Sequence, residues 1–250
     1  MGCLACWLCA NHRRRVNGAS RAYSAARLAL LALASTERMA FFKRKSRRAH
    51  EWGWDPVESE LSDEQLWGLL CNGIYFKAAT PRMDTLGGGL TNVDWKTGLK
   101  QWWGVKNKKQ FVELIDWMRK EGHRIDWVKN GDDQGDEKFA WDYCRMITVG
   151  GGAALAGVIE KEHAWDLVVE AADFLEGKFD SWEALGANYL SGRILWLYDL
   201  GKWGDSAETQ DQTQGLFEGV RDMLLSDDDS PWGRVDWDRS GGVRIDGEVR

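Results

Sequence analysis

A chain of 250 residues with 44% hydrophobic residues and only three prolines can bury a substantial core, and suits a compact helical protein better than a linker-rich one. Its net charge of -6 hides an asymmetry, because residues 1–50 hold eleven Lys or Arg against one acid, Glu37, while the rest holds 22 basic and 38 acidic residues. An acidic body lacks the clustered basic face that nucleic acid requires, so no nucleic-acid partner is expected for it; the basic leader can still touch RNA or anionic lipid.

The leader, residues 1–50, comes first. Its Cys3-x-x-Cys6-x-x-Cys9-x-x-His12 run has metal-like spacing but lacks the second arm that would bring four ligands together, so no metal is expected. Residues 28–34, LALLALA, follow Arg13, Arg14, Arg15, Arg21 and Arg27 and end in Ala32-x-Ala34, so residues 1–36 resemble a signal peptide whose apolar run is of minimum length. That run is too short to span a membrane. Met1-Gly2 suggests acylation, but Cys6 stands where the motif wants Ser or Thr. The preferred reading is a disordered leader, or an extension ahead of a start at Met39, on a cytoplasmic protein. The alternative is an exported protein. Lys43, Arg44, Lys45, Arg47 and Arg48 form a basic arm, read as a solvated tail or, less favoured, as a contact to an anionic membrane surface.

Residues 51–226 read as one helical domain. Residues 62–76 open with a capping box, Ser62 and Gln65, and acids Asp63 and Glu64 in the first turn; Leu66, Leu69, Leu70 and Gly73 then share a face, predicting one helix of about three turns. TPRMDTLGGGLTN is a loop by its Pro, Gly and Asn content, and VDWKTGLKQWWG a short helix ending at Gly104. In NKKQFVELIDWMRKEGHR, Asn107 can cap, Phe111, Leu114, Ile115 and Met118 form the apolar stripe, and Gly122 suits the left-handed position after the helix. KNGDDQGDEK lacks the ligand spacing of a calcium loop and reads as solvated.

In AWDYCRMITVGGGAALAGVI, Phe139 just upstream, Tyr143 and Ile147 share one helical face, and Asp142 with Arg145, three apart, can pair on another. Gly150, Gly151 and Gly152 follow a helix pattern with no strand before them and no Lys-Ser/Thr pair, which excludes a phosphate loop; they end or kink the helix, or admit another backbone. Further on, Trp165, Val168, Ala172 and Leu175 form a stripe closing near Gly177. Asp180 or Ser181 caps a helix whose face is Trp182, Leu185, Tyr189, Gly192 and Trp196. A last helix covers roughly residues 213–225. Residues 227–250 are an acidic, Gly-rich tail in which VDWDRSGGVRID reads as a small hairpin about Ser-Gly-Gly or as a disordered end.

The chemistry-bearing residues give no settled motif. Of the five cysteines, an odd number, Cys71 and Cys144 sit alone in helical patterns, which argues for a reducing compartment, and Cys144 reads as a small buried hydrophobe. Sixteen tryptophans, all but Trp7 spread from Trp52 to Trp237, are expected to be packing material.

Three spaced motifs carry a resemblance: Trp141-Asp142-x-x-Arg145, the Gly157-x-Ile159-x-x-x-x-Ala164-Trp165 helix start, and Ser181-Trp182 leading to Tyr189-x-x-Gly192-Arg193-x-x-Trp196. Together they are similar to a bacterial family catalogued as DUF1266, over residues 103–198, with EGHRID upstream resembling its Gly-His segment. The resemblance implies a bacterial, mainly helical module without a settled activity or cofactor. The candidate catalytic residues are His123, Asp142, Arg145 and Arg193, and the candidate ligand-binding residues Ser181, Trp182 and Tyr189. A carboxylate, an imidazole and two guanidiniums can bind an anion or move protons. Each also has a structural reading: an Asp142–Arg145 ion pair or helix cap, His123 on the carbonyls of the helix ending at Gly122, Ser181 as cap. The expected protein is therefore an all-α binding or interaction module with no cofactor and an unidentified protein or small-molecule partner. The alternative is a hydrolase or transferase acting on a small anionic substrate.

Overall fold

The computed structural model describes residues 52–54, 60–131, 135–201 and 206–249. The leader, its Cys/His run, the signal-like segment and the basic arm lie outside the described residues. From Asp63 onward the chain is built of helices: α1 Asp63–Leu70, α2 Gly73–Ala79, a 3-10 turn Leu86–Gly89, α3 Asn92–Trp102, α4 Lys108–Lys120, α5 Gly122–Lys129, α6 Phe139–Leu155, α7 Lys161–Glu176, α8 Trp182–Gly201, α9 Ala207–Ser226 and the short α10 Pro231–Arg234. The fold is all-α, with a small two-stranded hairpin near the end of the chain. Among the described residues no helix is long and apolar enough to cross a membrane.

Helix α6 is the axis of the fold. Every residue from Ala140 to Ala153 is buried, and α3, α4, α5, α7, α8 and the 3-10 turn all pack against it. The Gly triplet neither ends nor kinks this helix: it lies inside it as the surface on which neighbours make their closest approach. A Cβ on Gly151 would fall 2.5 Å from the Gly87 amide nitrogen, and one on Gly152 2.1 Å from the Trp95 ring. Gly87, Gly88 and Gly89 on the opposing turn all have positive φ, which glycine adopts without strain.

Two expected elements differ. The helix predicted over residues 62–76 is two helices, because Asn72 turns its side chain inward to donate to Thr148 Oγ1 and breaks the run. Trp232 Nε1 then donates to the Leu70 carbonyl at 2.9 Å beside the break. The last long helix starts at Ala207, six residues earlier than expected, where Ser206 caps it through Thr209 N.

Several local expectations hold. Ser62 and Gln65 form both halves of a capping box, Asn107 caps α4 through Gln110 N, and Gly104 and Gly122 are left-handed. Residues 235–249 run antiparallel, with a Val235–Ile245 bridge spanning Ser-Gly-Gly. The tight hairpin itself pairs Arg244 with Val249 about Asp246-Gly247, where both central residues have positive φ, as a two-residue type I′ turn demands.

Candidate functional site

The junction of α4 and α5 explains most of the buried charge. Gly122 ends α4 in the left-handed conformation and the chain enters α5 at once, so the last carbonyls of one helix meet the first amides of the next. Helix ends of this kind leave backbone groups without intrahelical partners, with partial negative charge at the carbonyl end and positive at the amide end. Arg124 donates to the Met118 carbonyl at 2.7 Å and to that of Arg119. Asp142, on α6 and wholly buried, accepts from the backbone amides of His123 at 3.1 Å and Arg124 at 3.4 Å, and pairs with the Arg124 guanidinium at 3.1 Å. The clasp tolerates only glycine at position 122, since a Cβ there would lie 2.0 Å from Asp142 Oδ2.

This corrects two expectations. Asp142 does cap a neighbouring helix, α5, as one of its two structural readings had it, but its ion pair is with Arg124 rather than with Arg145. The carbonyls of α4 are satisfied by Arg124, not by His123. Arg124 was missed in the sequence, although a basic residue two positions after a helix-ending glycine is the available signal.

His123 stands between the clasp and Arg145. Its Nδ1 is 3.3 Å from Asp142 Oδ1 and 3.0 Å from an Arg145 guanidinium nitrogen. The ring can serve one of these through Nδ1, donating to the carboxylate when protonated there or accepting from the guanidinium when not. Burial pushes the imidazole below its ordinary pKa and the Arg145 charge adds to this, outweighing Asp142. Burial alone would raise the Asp142 carboxyl, but the bonds from His123 and the charge of Arg145 hold it below the usual range. Of the two, only His123 reaches solvent, its side chain 16% exposed.

Tryptophans wall this place. The Arg145 guanidinium lies over the ring of Trp103 at 4.3 Å and over that of Trp141 at 4.8 Å. His123 packs against Trp117 and Trp127, with centroids 5.0 and 5.9 Å away. Tyr189 of α8 lies against Trp141, with ring centroids 5.4 Å apart. Burial raises the pKa of the Tyr75 and Tyr189 phenols, against the positive charge of Arg145 at Tyr75 and of Arg193, then Arg145, at Tyr189.

The structure thus brings together His123, Asp142 and Arg145, with Tyr189 beside them against Trp141. Arg193 meets Tyr189 across Phe217, on which both stack, while Ser181 and Trp182 serve other contacts. Arg193 is buried, stacked on Phe217 at 3.9 Å and donating to Gln214 of α9. Ser181 caps α8 through Ala184 N. Trp182 belongs to a four-indole cluster with Trp67, Trp232 and Trp237. Cys144 is buried, donates its thiol to the Cys71 carbonyl, and has its pKa raised by burial, all contrary to a nucleophile. Among the described residues no group of three His, Cys, Asp or Glu is placed to hold a metal.

These features define an all-helical domain built on a buried charge clasp with a tryptophan-walled polar place beside it. Residues 125–237 match the family model described as protein of unknown function (DUF1266), the family that the motifs resemble. The matched segment starts later and runs further than residues 103–198: it takes in Asp142, Arg145, Ser181, Trp182, Tyr189 and Arg193, and reaches Trp237 in the last aromatic cluster, while His123 falls two residues before it. No curated protein and no solved structure matches the chain.

Proposed function

We propose that the domain is a binding module whose ligand contacts lie around His123 and Arg145, and that it does not turn over a substrate. The observation that carries this reading is the commitment of Asp142. Its carboxylate, the acid nearest His123, is occupied by two backbone amides and the Arg124 guanidinium, so it holds the α4–α5 junction together and is not at hand to shuttle protons. The partly exposed His123, the buried Arg145 and the indoles around them supply a polar, amphipathic surface of the kind that fixes a ligand's orientation. The free, buried thiols of Cys71 and Cys144 support a reducing, cytoplasmic setting, and the family resemblance a bacterial source.

A second reading is kept for one observation. His123 beside Asp142, with its pKa lowered toward the neutral form, has the disposition of a general base for a hydrolase or transferase acting on a small anionic substrate. One experiment separates the two: ligand-observed NMR of the chain against a library of small metabolite-like compounds, with His123→Ala and Arg145→Gln alongside. The module reading expects compounds whose signals are lost in both variants and which are recovered unchanged after incubation. Chemical conversion of a bound compound, abolished in His123→Ala, would replace it with the enzyme reading.

A further inference from the structure

The His123 ring meets both an anion and a cation. Asp142 Oδ1 is 3.3 Å from its Nδ1, while Arg145 Nη1 is 3.0 Å from Nδ1 and 3.5 Å from Nε2. A neutral imidazole has one nitrogen without a hydrogen, and whichever it is lies within 3.5 Å of the guanidinium. A second proton on the ring therefore sets one positive charge against another in either tautomer. The His123 side chain is 16% exposed, so solvent can deliver that proton.

We propose that His123 is a proton-operated switch for Arg145: the neutral ring packs against the guanidinium, and the protonated ring holds to Asp142 and drives Arg145 away. The two charged neighbours do not yield equally. Asp142 is wholly buried and pinned by the His123 and Arg124 amides and the Arg124 guanidinium, which is itself tied to two carbonyls of α4. Arg145 lies over the faces of Trp103 and Trp141, an attraction less directional than a hydrogen bond. Trp103 is half-buried at the end of α3, so its ring and the guanidinium over it are the part of the contact that can shift. Other charges near the ring compete poorly. Arg119 of α4 turns to Asp116 and Glu170. Glu121 and Asp126 are about half exposed and each faces Lys129, and Asp199 of α8 accepts from Trp127 Nε1 at 3.0 Å. The phenols of Tyr75 and Tyr189 are pushed up by burial and stay neutral throughout. Burial, with the Arg145 charge, lowers the imidazole from its ordinary value, so the switch works below about pH 6.5. It belongs to the protein without ligand, and stands or falls apart from either reading of the site.

The test is an NMR titration of the whole chain from neutral pH down to the onset of acid unfolding, which circular dichroism locates. It follows the His123 ring signals, assigned by their loss in His123→Gln, and the side-chain protons of Arg145, which the Trp103 and Trp141 rings displace from their ordinary shifts while the guanidinium lies over them. The Arg145 protons are expected to move toward their ordinary shifts along the same curve as His123, and to stay in place over that range in His123→Gln. In Arg145→Gln the His123 midpoint should rise, because a like charge beside the ring has gone. The proposal is overturned by Arg145 signals that hold still while His123 titrates, by an Arg145 movement that persists in His123→Gln, by a His123 midpoint unchanged or lower in Arg145→Gln, or by a His123 that takes up no proton before the fold is lost. The first and last of these are read on the unaltered chain, so the test does not depend on either variant folding.

Discussion

Asp142→Asn removes the charge at the α4–α5 junction while keeping the side chain's shape. In the folded protein that carboxylate has no exposure and receives the His123 amide, the His123 ring, the Arg124 amide and the Arg124 guanidinium. The substitution leaves the Arg124 guanidinium, 5% exposed, without its counter-charge. Breaking a buried pair from one side costs about 3–5 kcal/mol, a large share of the roughly 5–15 kcal/mol that stabilises a domain. Urea unfolding at low temperature measures it, in a double-mutant cycle with Arg124→Met. Each single variant should lose several kcal/mol, and the double variant should lose less than their sum by about 1–3 kcal/mol, the range for residues in one network. The parallel cycle with Arg145→Gln should show a smaller coupling, since no hydrogen bond joins Arg145 to Asp142. Additivity within about 0.5 kcal/mol for Asp142 and Arg124, or stronger coupling to Arg145, would refute the clasp.

Because the folded pKa of His123 lies below the ordinary value of about 6.5, the unfolded chain takes up that proton first on acidification. Stability from this group is therefore complete above about pH 6.5 and falls below it, by about 1.4 kcal/mol for each pH unit separating the two values, until the folded group titrates; His123→Gln should remove that part of the fall in urea midpoints between pH 7.5 and 5. Two glycines of the α6 triplet should respond with opposite sign in thermal melts: Gly150→Ala meets only Leu167 at 3.4 Å and should gain up to about 1 kcal/mol of helix propensity, whereas Gly152→Ala strikes the Trp95 ring and should lose about 1–3 kcal/mol. Trp182→Phe deletes the 2.7 Å bond to the Val235 carbonyl and should cost about 1–3 kcal/mol, with amide exchange rising first in residues 231–249.

What could be read from the sequence was what is local. The Ser62 box, the Asn107 cap, the helix stop at Gly104, the left-handed Gly122 and the stripe of α4 depend on neighbours within a turn, and they hold. The break at Asn72 depends on Thr148, 76 residues away, and no window of sequence contains that partner. The site shows the same division. Asp142, Arg145 and His123 were identified by residue type and motif, but the identity of the pair was not, because three-residue spacing makes Asp142–Arg145 feasible while the competing Arg124 arrives from another helix. Trp103, over which the Arg145 guanidinium lies, had no local signal at all.

The abundance of tryptophan has the same long-range character. An indole combines a large apolar body with one donor, so a single residue can fill a core gap and tie down a distant carbonyl. Trp67 donates to Asp236, Trp182 to Val235, Trp232 to Leu70 and Trp237 to Phe179, and these four rings pack together, with Arg239 over Trp67 bonded to Asp173 and Glu176 of α7. That arrangement binds residues 231–249 to α1, α7 and α8, so an end of the chain with little regular structure is anchored by side-chain donors rather than by a ladder.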